Sequence, residues 1–456
     1  MTSPVDPYPI RPIAEDEFGA FHLVDEHAFH GSPTPAAELE GTLSLFEWSR
    51  SLAAFDGADP VGITGIYSFQ LSVPGALLPA AGVSWVGVLP TYRRRGILRS
   101  LMRRQLADIQ AAGEPLAVLW ASEAAIYGRY GYGQATSQLA FTIHRGEGAL
   151  LSSAGGGAAG GGSTAGGGAA GGGLRLRLVT PSDAWAELAK VYDIVLQSRP
   201  GFFARSEPFW RRVLADPENR RNGASPLRCV IAEDDSGPRG YALYTGTGRW
   251  GSETMLEEGR LDVRELVAAD PAASALLWAD LLSRDLTSEF HAGLRPVDDP
   301  LLYQLADPRR TRAHLSDGLW VRLIDLPKAL AGRRYACPVD VVIEVRDTGL
   351  PVNEGRWRLR TADGRTADGL AADGLASDGL ATDELAVDGL AASCERSTDP
   401  ADLVLDVASL GAAYLGGTRL GALAEAGLVT DVRPGAVRRM SAAMAWDPAP
   451  WCPKIF

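Results

Sequence analysis

The run VSWVGVLPTYRRRGILRSLMRRQLADI, from Val83 to Ile109, reads as a strand, a proline turn, a loop of three arginines and a glycine, and a helix. Free backbone N–H groups at a helix N-terminus, beside a glycine that lets a ligand come close, make a cradle for anions. Arg94, Arg95, Gly96, Ile97, Leu98 and Arg99 occupy that loop and first turn. The chemistry open to them is phosphate binding; composition by itself also allows a basic, solvated helix start. Next comes ASEAAIYGRYGYGQAT, with phenols at Tyr127, Tyr130 and Tyr132, a tyrosine-glycine pattern that generally serves packing and turns. The chain stops on APWCPKIF. Trp451, Ile455 and Phe456 each gain roughly 1.5–3 kcal/mol on burial, so this end should dock rather than fray.

Other motifs fail on context. Gly246, Gly248 and Gly251 spell GxGxxG, but SETMLEEGRLDV follows where a dinucleotide fold needs a helix, so a hairpin loop is expected. His22, His27 and His30, with Asp25 and Glu26, do not share one helical face and there is no HExxH, so no metal is expected and a solvated helix end is. No GxSxG elbow is present.

The elements that must hold the phosphate loop are mixed α/β. Residues 60–92 carry no charge over a length that could span a bilayer, but their prolines and glycines cut them into short runs rich in β-branched and aromatic residues, which predicts buried strands. Around them the pattern predicts helices at 14–29, 35–50 and 95–112, a strand at 116–122 and a last strand at 139–144. Residues 155–173 are glycine and alanine but for Ser163 and Thr164, a linker composition. Strand LRLRLV and helix WAELAKVYDIVLQS then open a second unit that repeats the first in outline, and GLWVRLIDL and VDVVIEVRD open a third, α+β unit. An A-x-D-G-L repeat at 361–390 reads as an insertion in it. The divisions are therefore 1–150, a linker at 151–173, 174–315 and 316–456.

A chain of 456 residues with a formal charge of −12 repels nucleic acid and anionic lipid and favours cationic small molecules. Four cysteines at least 57 positions apart form no disulfide framework, and the acidic, proline-bearing N-terminus has no export signal, so a cytoplasmic protein is expected.

Arg93, Gly96 and Leu98 follow the pattern R-x-x-G-x-(G/A) of the GNAT (GCN5-related N-acetyltransferase) pyrophosphate loop, with Leu98 departing from the small residue. The longer strings VGVLPTYRRRGILRSLM and ASEAAIYGRYGYGQAT resemble a narrower group, the Eis (enhanced intracellular survival) family, and weaker similarity runs through GYALY, VRELVAADPAASALLWADL, DGLWVRLIDLPKALAGRRY and GGTRLGALAEAG to Phe456. The resemblance implies two tandem GNAT-like domains followed by a sterol-carrier-protein-like α+β domain, assembled as a hexamer. It implies one acetyl-CoA site, in the first domain, because the second copy reads VAADPAASALLWADL and lacks the arginines and glycine. It implies that the backbone of Val86, Gly87 and Val88 runs along the pantetheine, that residues 94–99 hold the pyrophosphate, and that Ser122 and Glu123 border the thioester. Tyr127 stands at the family's general acid, Phe29 and Trp85 at positions of the amine pocket, and the Phe456 carboxylate at the general base.

Two functions are open on this reading. One is acetyl transfer from acetyl-CoA to a primary amine of a cationic substrate of aminoglycoside, polyamine or lysine type; the other is a non-catalytic carrier that holds a lipid or acyl-CoA in the third domain. An intact arginine loop and Tyr127 favour the enzyme.

Overall fold

The computed structural model describes residues 7–31, 33–151, 173–250, 258–362 and 389–456 and arranges them in three sheets. The Gly/Ala linker and the pentapeptide segment lie, but for their edges, outside the described residues, as does Gly251.

The uncharged run forms a long antiparallel hairpin, Asp59–Val73 against Ala76–Val88, whose side chains are largely buried. Ala76–Val88 also pairs in parallel with Leu116–Trp120, but only at Ala80, Ala81 and Gly82. Beyond Gly82 the two strands part, so the backbone of Ser84 to Val88 keeps one edge without a strand partner among the described residues. On the other edge the register slips between Ile63 and Gly65, where Trp85 and Val86 face the single residue Thr64. Trp85 there has a φ of 59°, a left-handed conformation that a bulky side chain adopts only where its surroundings hold it, as a bulge can. Helix Ile97–Ala111 covers this region and buries Ile97, Leu101, Met102, Gln105, Leu106 and Ile109, one face at helical spacing.

Two strands cross the divisions expected from sequence. Ser137–His144, expected to close the first unit, lies in the second sheet between His314–Asp317 and Glu289–Pro296. Leu319–Leu323, expected in the third unit, lies in the first sheet between Leu116–Trp120 and Gly133–Gln134. The reason for the second exchange is apolar: Leu319, Val321 and Leu323, all fully buried, complete the face begun by Leu116 and Val118. The predicted helix at 35–50 is shorter, Ala36–Leu43, with a separate 3-10 turn at Trp48–Arg50. Gly246 lies in the strand Gly237–Thr247, which pairs antiparallel with Arg260–Ala268 as the two arms of a hairpin do, while Gly251 lies outside the described residues.

The third sheet runs Ala392–Arg396, Gly355–Thr361, Asp340–Arg346, Leu403–Asp406, Val429–Asp431. It shares an apolar core with the first sheet, through residues such as Val118, Val321, Ile343 and Leu405, and a buried ion pair also links the two. Arg322, in the exchanged strand, donates to Asp347 Oδ1 at 2.7 Å, and Asp347 also accepts from the backbone N–H of Gly349 and Leu350 and from Asn353 Nδ2. Both partners are almost wholly buried, so each depends on the other to avoid an uncompensated interior charge. No helix among the described residues is long and apolar enough to cross a membrane.

Candidate active site

A cleft of about 770 Å³ opens where the strands part after Gly82. Of the residues singled out in the sequence it gathers Phe29, Val86, Gly87, Val88, Arg94, Gly96, Ile97, Leu98, Arg99, Ser122, Glu123 and Tyr127. The loop that enters it is conformationally special: Gly96, at the helix N-cap, has a φ of 86°, and Arg94, without a glycine's freedom, has 64°. A left-handed non-glycine residue in a ligand loop is the kind of strain that functional sites retain. Gly87 lies under the helix Phe18–Phe29, where an added Cβ would come within 3.0 Å of the Ala28 Cβ.

Three predicted residues do not line the cleft. Arg95 turns away; its guanidinium donates to the Tyr8 hydroxyl at 2.9 Å and lies over the Tyr92 ring. Trp85 lies instead among Phe21, Phe46 and His22, and donates from Nε1 to the Tyr67 hydroxyl at 3.0 Å. Phe456 reaches the same strand from the far end of the chain. Its ring is edge-on to Phe69 and Phe203 at centroid distances of 4.9 and 5.5 Å, and the Ser84 hydroxyl donates to its main-chain oxygen at 3.2 Å. The segment leading there is held by Trp451, whose N–H donates to Pro200 O at 2.8 Å and whose indole donates to Leu294 O. Gly201, with a φ of 97°, makes room for that crossing, since a Cβ on it would stand 2.7 Å from Trp451 O. Docking of the tail, expected from its apolar side chains, is thus a second-unit and first-unit affair: Trp451 and Phe456 are buried, while Ile455 is exposed.

Tyr127 is 5% exposed and its phenol is pushed up to about 12, chiefly by burial, with Ser122 opposing and Glu123 and Tyr130 adding to the rise. It therefore stays protonated well beyond neutral pH. Leu350 from the third unit packs in the same apolar cluster as Tyr127 and Tyr132, and the adjacent Thr348 and Gly349 line the cleft. Sequence reasoning misses these two entirely, for nothing local marks a loop more than 200 residues downstream as part of the site. It also misses Arg103 and Arg129, which line the cleft. Arg103 had a readable signal, since it stands one helical turn from Arg99.

The second unit's counterpart of the loop is closed to anions. Asp270 caps helix Pro271–Leu282 by accepting from Ala273 N at 2.9 Å, and Arg239 occupies its other oxygen at 3.0 Å. A carboxylate already fills the place a phosphate would take. The void among Val263, Trp278 and Phe290 measures only about 10 Å³.

Residues 9–135 and 201–323 each match an acetyltransferase (GNAT) domain model, and residues 326–453 match a sterol carrier protein domain. The chain is 42% identical, over 98% of its length and 99% of the relative's, to an uncharacterized N-acetyltransferase of Streptomyces coelicolor. It is 33% identical to the N-acetyltransferase Eis of Mycobacterium tuberculosis over 86% of both chains. Among solved structures it is similar to Eis1 from Mycobacterium abscessus, with a TM-score of 0.74 and 31% identity over 98% of this chain and 100% of that one. With two GNAT domains, a sterol carrier domain and these relatives along nearly its whole length, the chain is an N-acetyltransferase and belongs to the Eis family of GNAT enzymes.

Proposed function

We propose that the enzyme moves the acetyl group of acetyl-CoA to a primary amine on a cationic substrate of aminoglycoside, polyamine or lysine type. The observation that carries this reading is the cleft at the parted strands, in which an arginine-rich helix start, a free strand edge and a buried, protonated phenol meet. Acetyl-CoA would supply the activated thioester. The helix N-terminus at Gly96, with Arg94, would hold its pyrophosphate, and the free backbone edge of Val86 to Val88 would pair with the pantetheine amides. Tyr127 would give its proton to the departing thiolate. The Phe456 carboxylate, held by Ser84, would take a proton from the ammonium, directly or through water, before attack. The carrier reading gains less support: the apolar residues of the third unit, among them Leu359, Leu403, Leu405, Leu410 and Met440, pack on one another in a common core.

Arg94→Ala is expected to weaken acetyl-CoA binding roughly 10- to 150-fold, the loss of one charge-assisted phosphate contact. Arg95→Ala should cost far less, because its guanidinium is already committed to Tyr8 and Tyr92. Isothermal titration checks both; equal losses would mean the loop rearranges on binding. The substrate class is tested by comparing kcat/KM for polycationic amines with that for neutral primary amines at low and high salt. The polycations should be preferred, and the preference should shrink as salt screens the acidic surface. Equal use of neutral amines would contradict the cationic class. A cytoplasmic, hexameric enzyme completes the reading.

A further inference from the structure

The anion position of the second unit is filled by its own Asp270, yet the last residues of the chain are fastened to that unit. Trp451 is 4% exposed, and the guanidinium groups of Arg199 and Arg295 lie against its ring at 5.5 and 5.0 Å from the centroid, where the face of an indole attracts a cation. Each arginine is itself fixed. Arg199 pairs with Asp298, and Arg295 pairs with Asp299 at 2.7 Å and donates to Leu266 O at 2.8 Å. Asp298 also accepts from the backbone N–H of Ala449 at 3.0 Å, just upstream of Trp451. The indole N–H goes to Leu294 O at 2.5 Å, and a bulge presents that carbonyl: Gly293 and Leu294 face the single residue Ala140, and Leu294 has a φ of 52°. A leucine keeps that left-handed conformation only where its surroundings hold it.

A short segment of the second unit then joins the tail to the first sheet. Pro200 O accepts from Trp451 N–H at 2.8 Å, Gly201 N–H donates to Ser72 O at 2.8 Å, Phe202 O accepts from Ser72 N–H at 2.7 Å, and Ala204 N–H donates to Gln70 O at 2.9 Å. Residues 200–204 thus run between Trp451 and the strand Asp59–Val73, whose partner strand carries Ala80 to Ser84. Phe203 in this segment meets the Phe456 ring at 5.5 Å, and its carbonyl accepts from the Tyr192 hydroxyl at 3.0 Å. Arg205 closes the segment with two bonds to Glu265, at 2.9 and 2.7 Å, both side chains buried. A general base must stand within hydrogen-bond reach of the proton it takes, and a displacement of about 1 Å can cost roughly 10²-fold in rate. The directional contacts at Ala449, Trp451 and Phe203 fix the place of the carboxylate in a way that burial of apolar side chains does not.

We propose that the second unit serves the reaction as the seat of the C-terminal tail, with Trp451, Arg199, Arg295 and Asp298 as positioning residues for the Phe456 carboxylate. The inference rests on the reading of that carboxylate as the base. It gives the unit whose anion position is closed a part in acetyl transfer.

Two measurements on the full-length enzyme test it: the rate at which a carboxypeptidase releases Phe456, and kcat from neutral pH to about 10, the range in which an alkyl amine loses its charge. Trp451→Ala and Asp298→Ala should both release Phe456 faster than the wild type. At neutral pH kcat should fall roughly 10- to 100-fold in Trp451→Ala and by less in Asp298→Ala. The deficit should shrink as pH rises, because a substrate that arrives as the neutral amine needs no base. Trp451→Phe, which keeps a ring against the two guanidinium groups, should recover most of the loss. Acetyl-CoA affinity should be unchanged in all three. Asp298 is partly exposed, so its variant carries the test if thermal denaturation shows Trp451→Ala to be unfolded. Release of Phe456 at the wild-type rate in the folded variants would overturn the seat and leave the base reading intact. A deficit equal at every pH would overturn the positioning role. Faster release with undiminished kcat would remove the base reading, and the inference with it.

Discussion

Tyr127→Phe is expected to lower kcat roughly 10²- to 10⁴-fold, the range for losing a general acid, while acetyl-CoA affinity stays as it is. The substitution deletes one proton and keeps the ring, which packs edge-on to Tyr132 at 6.2 Å in the cluster with Leu350. The raised phenol adds a pH signature. Burial moves Tyr127 from its ordinary value near 10 to about 12, so its proton is retained through the range in which an ordinary phenol would be half ionised. Turnover should therefore climb as the amine substrate deprotonates and show no half-loss at pH 10. A descending limb centred near 10 would mean that Tyr127 is more hydrated in the working enzyme than its 5% exposure implies, or that another group is the acid. Undiminished turnover in Tyr127→Phe would remove it from the reaction altogether.

Extending the chain beyond Phe456 should abolish acetylation, by roughly 10²-fold or more, with cofactor binding preserved. The main-chain oxygen of Phe456 accepts from Ser84, and its ring is fixed by Phe69 and Phe203, so an added residue would turn into a neutral amide the carboxylate proposed above as the base. A neutral amide has no comparable basicity. Deleting Phe456 should be as harmful, since the new carboxylate at Ile455 would lack the aromatic anchor. Ser84→Ala separates positioning from chemistry: it should lower kcat modestly and leave the tail seated through Trp451. The measurement is kcat on proteins whose intact masses confirm where each chain ends. Full activity in the extended form would assign the base to another group.

The parts of this site that are local in sequence were readable. The strand, proline turn, arginine loop and helix of residues 83–109 lie as expected, because Pro90, Gly96 and the spacing of Ile97, Leu101 and Ile109 are each decided by neighbours a few residues away. Helix Trp185–Ser198 matches its predicted limits for the same reason. What alternation cannot encode is which sheet a strand joins. Ser137–His144 and Leu319–Leu323 have ordinary strand patterns, and only the apolar faces left open by other strands decide their partners. Arg95 shows a different limit: three consecutive arginines look equivalent in sequence, yet Tyr8, outside the motif, withdraws one of them. Thr348 and Gly349 line the cleft next to Asp347, which Arg322, itself in an exchanged strand, holds. Asp270 of the second unit was visible as an acid before a proline, and its meaning as a built-in occupant of the anion position emerges once the cap is seen.

The most direct test of acetyl transfer at this cleft is to measure free thiol and acetylated amine together in one reaction of the purified enzyme with acetyl-CoA and a polycationic amine. Thiol and N-acetylated product should appear in equal amounts, with mass spectrometry fixing the acetyl group on nitrogen, and both should disappear together in Tyr127→Phe. Thiol released without acetylated amine, or no product from any cationic amine despite bound acetyl-CoA, would contradict it.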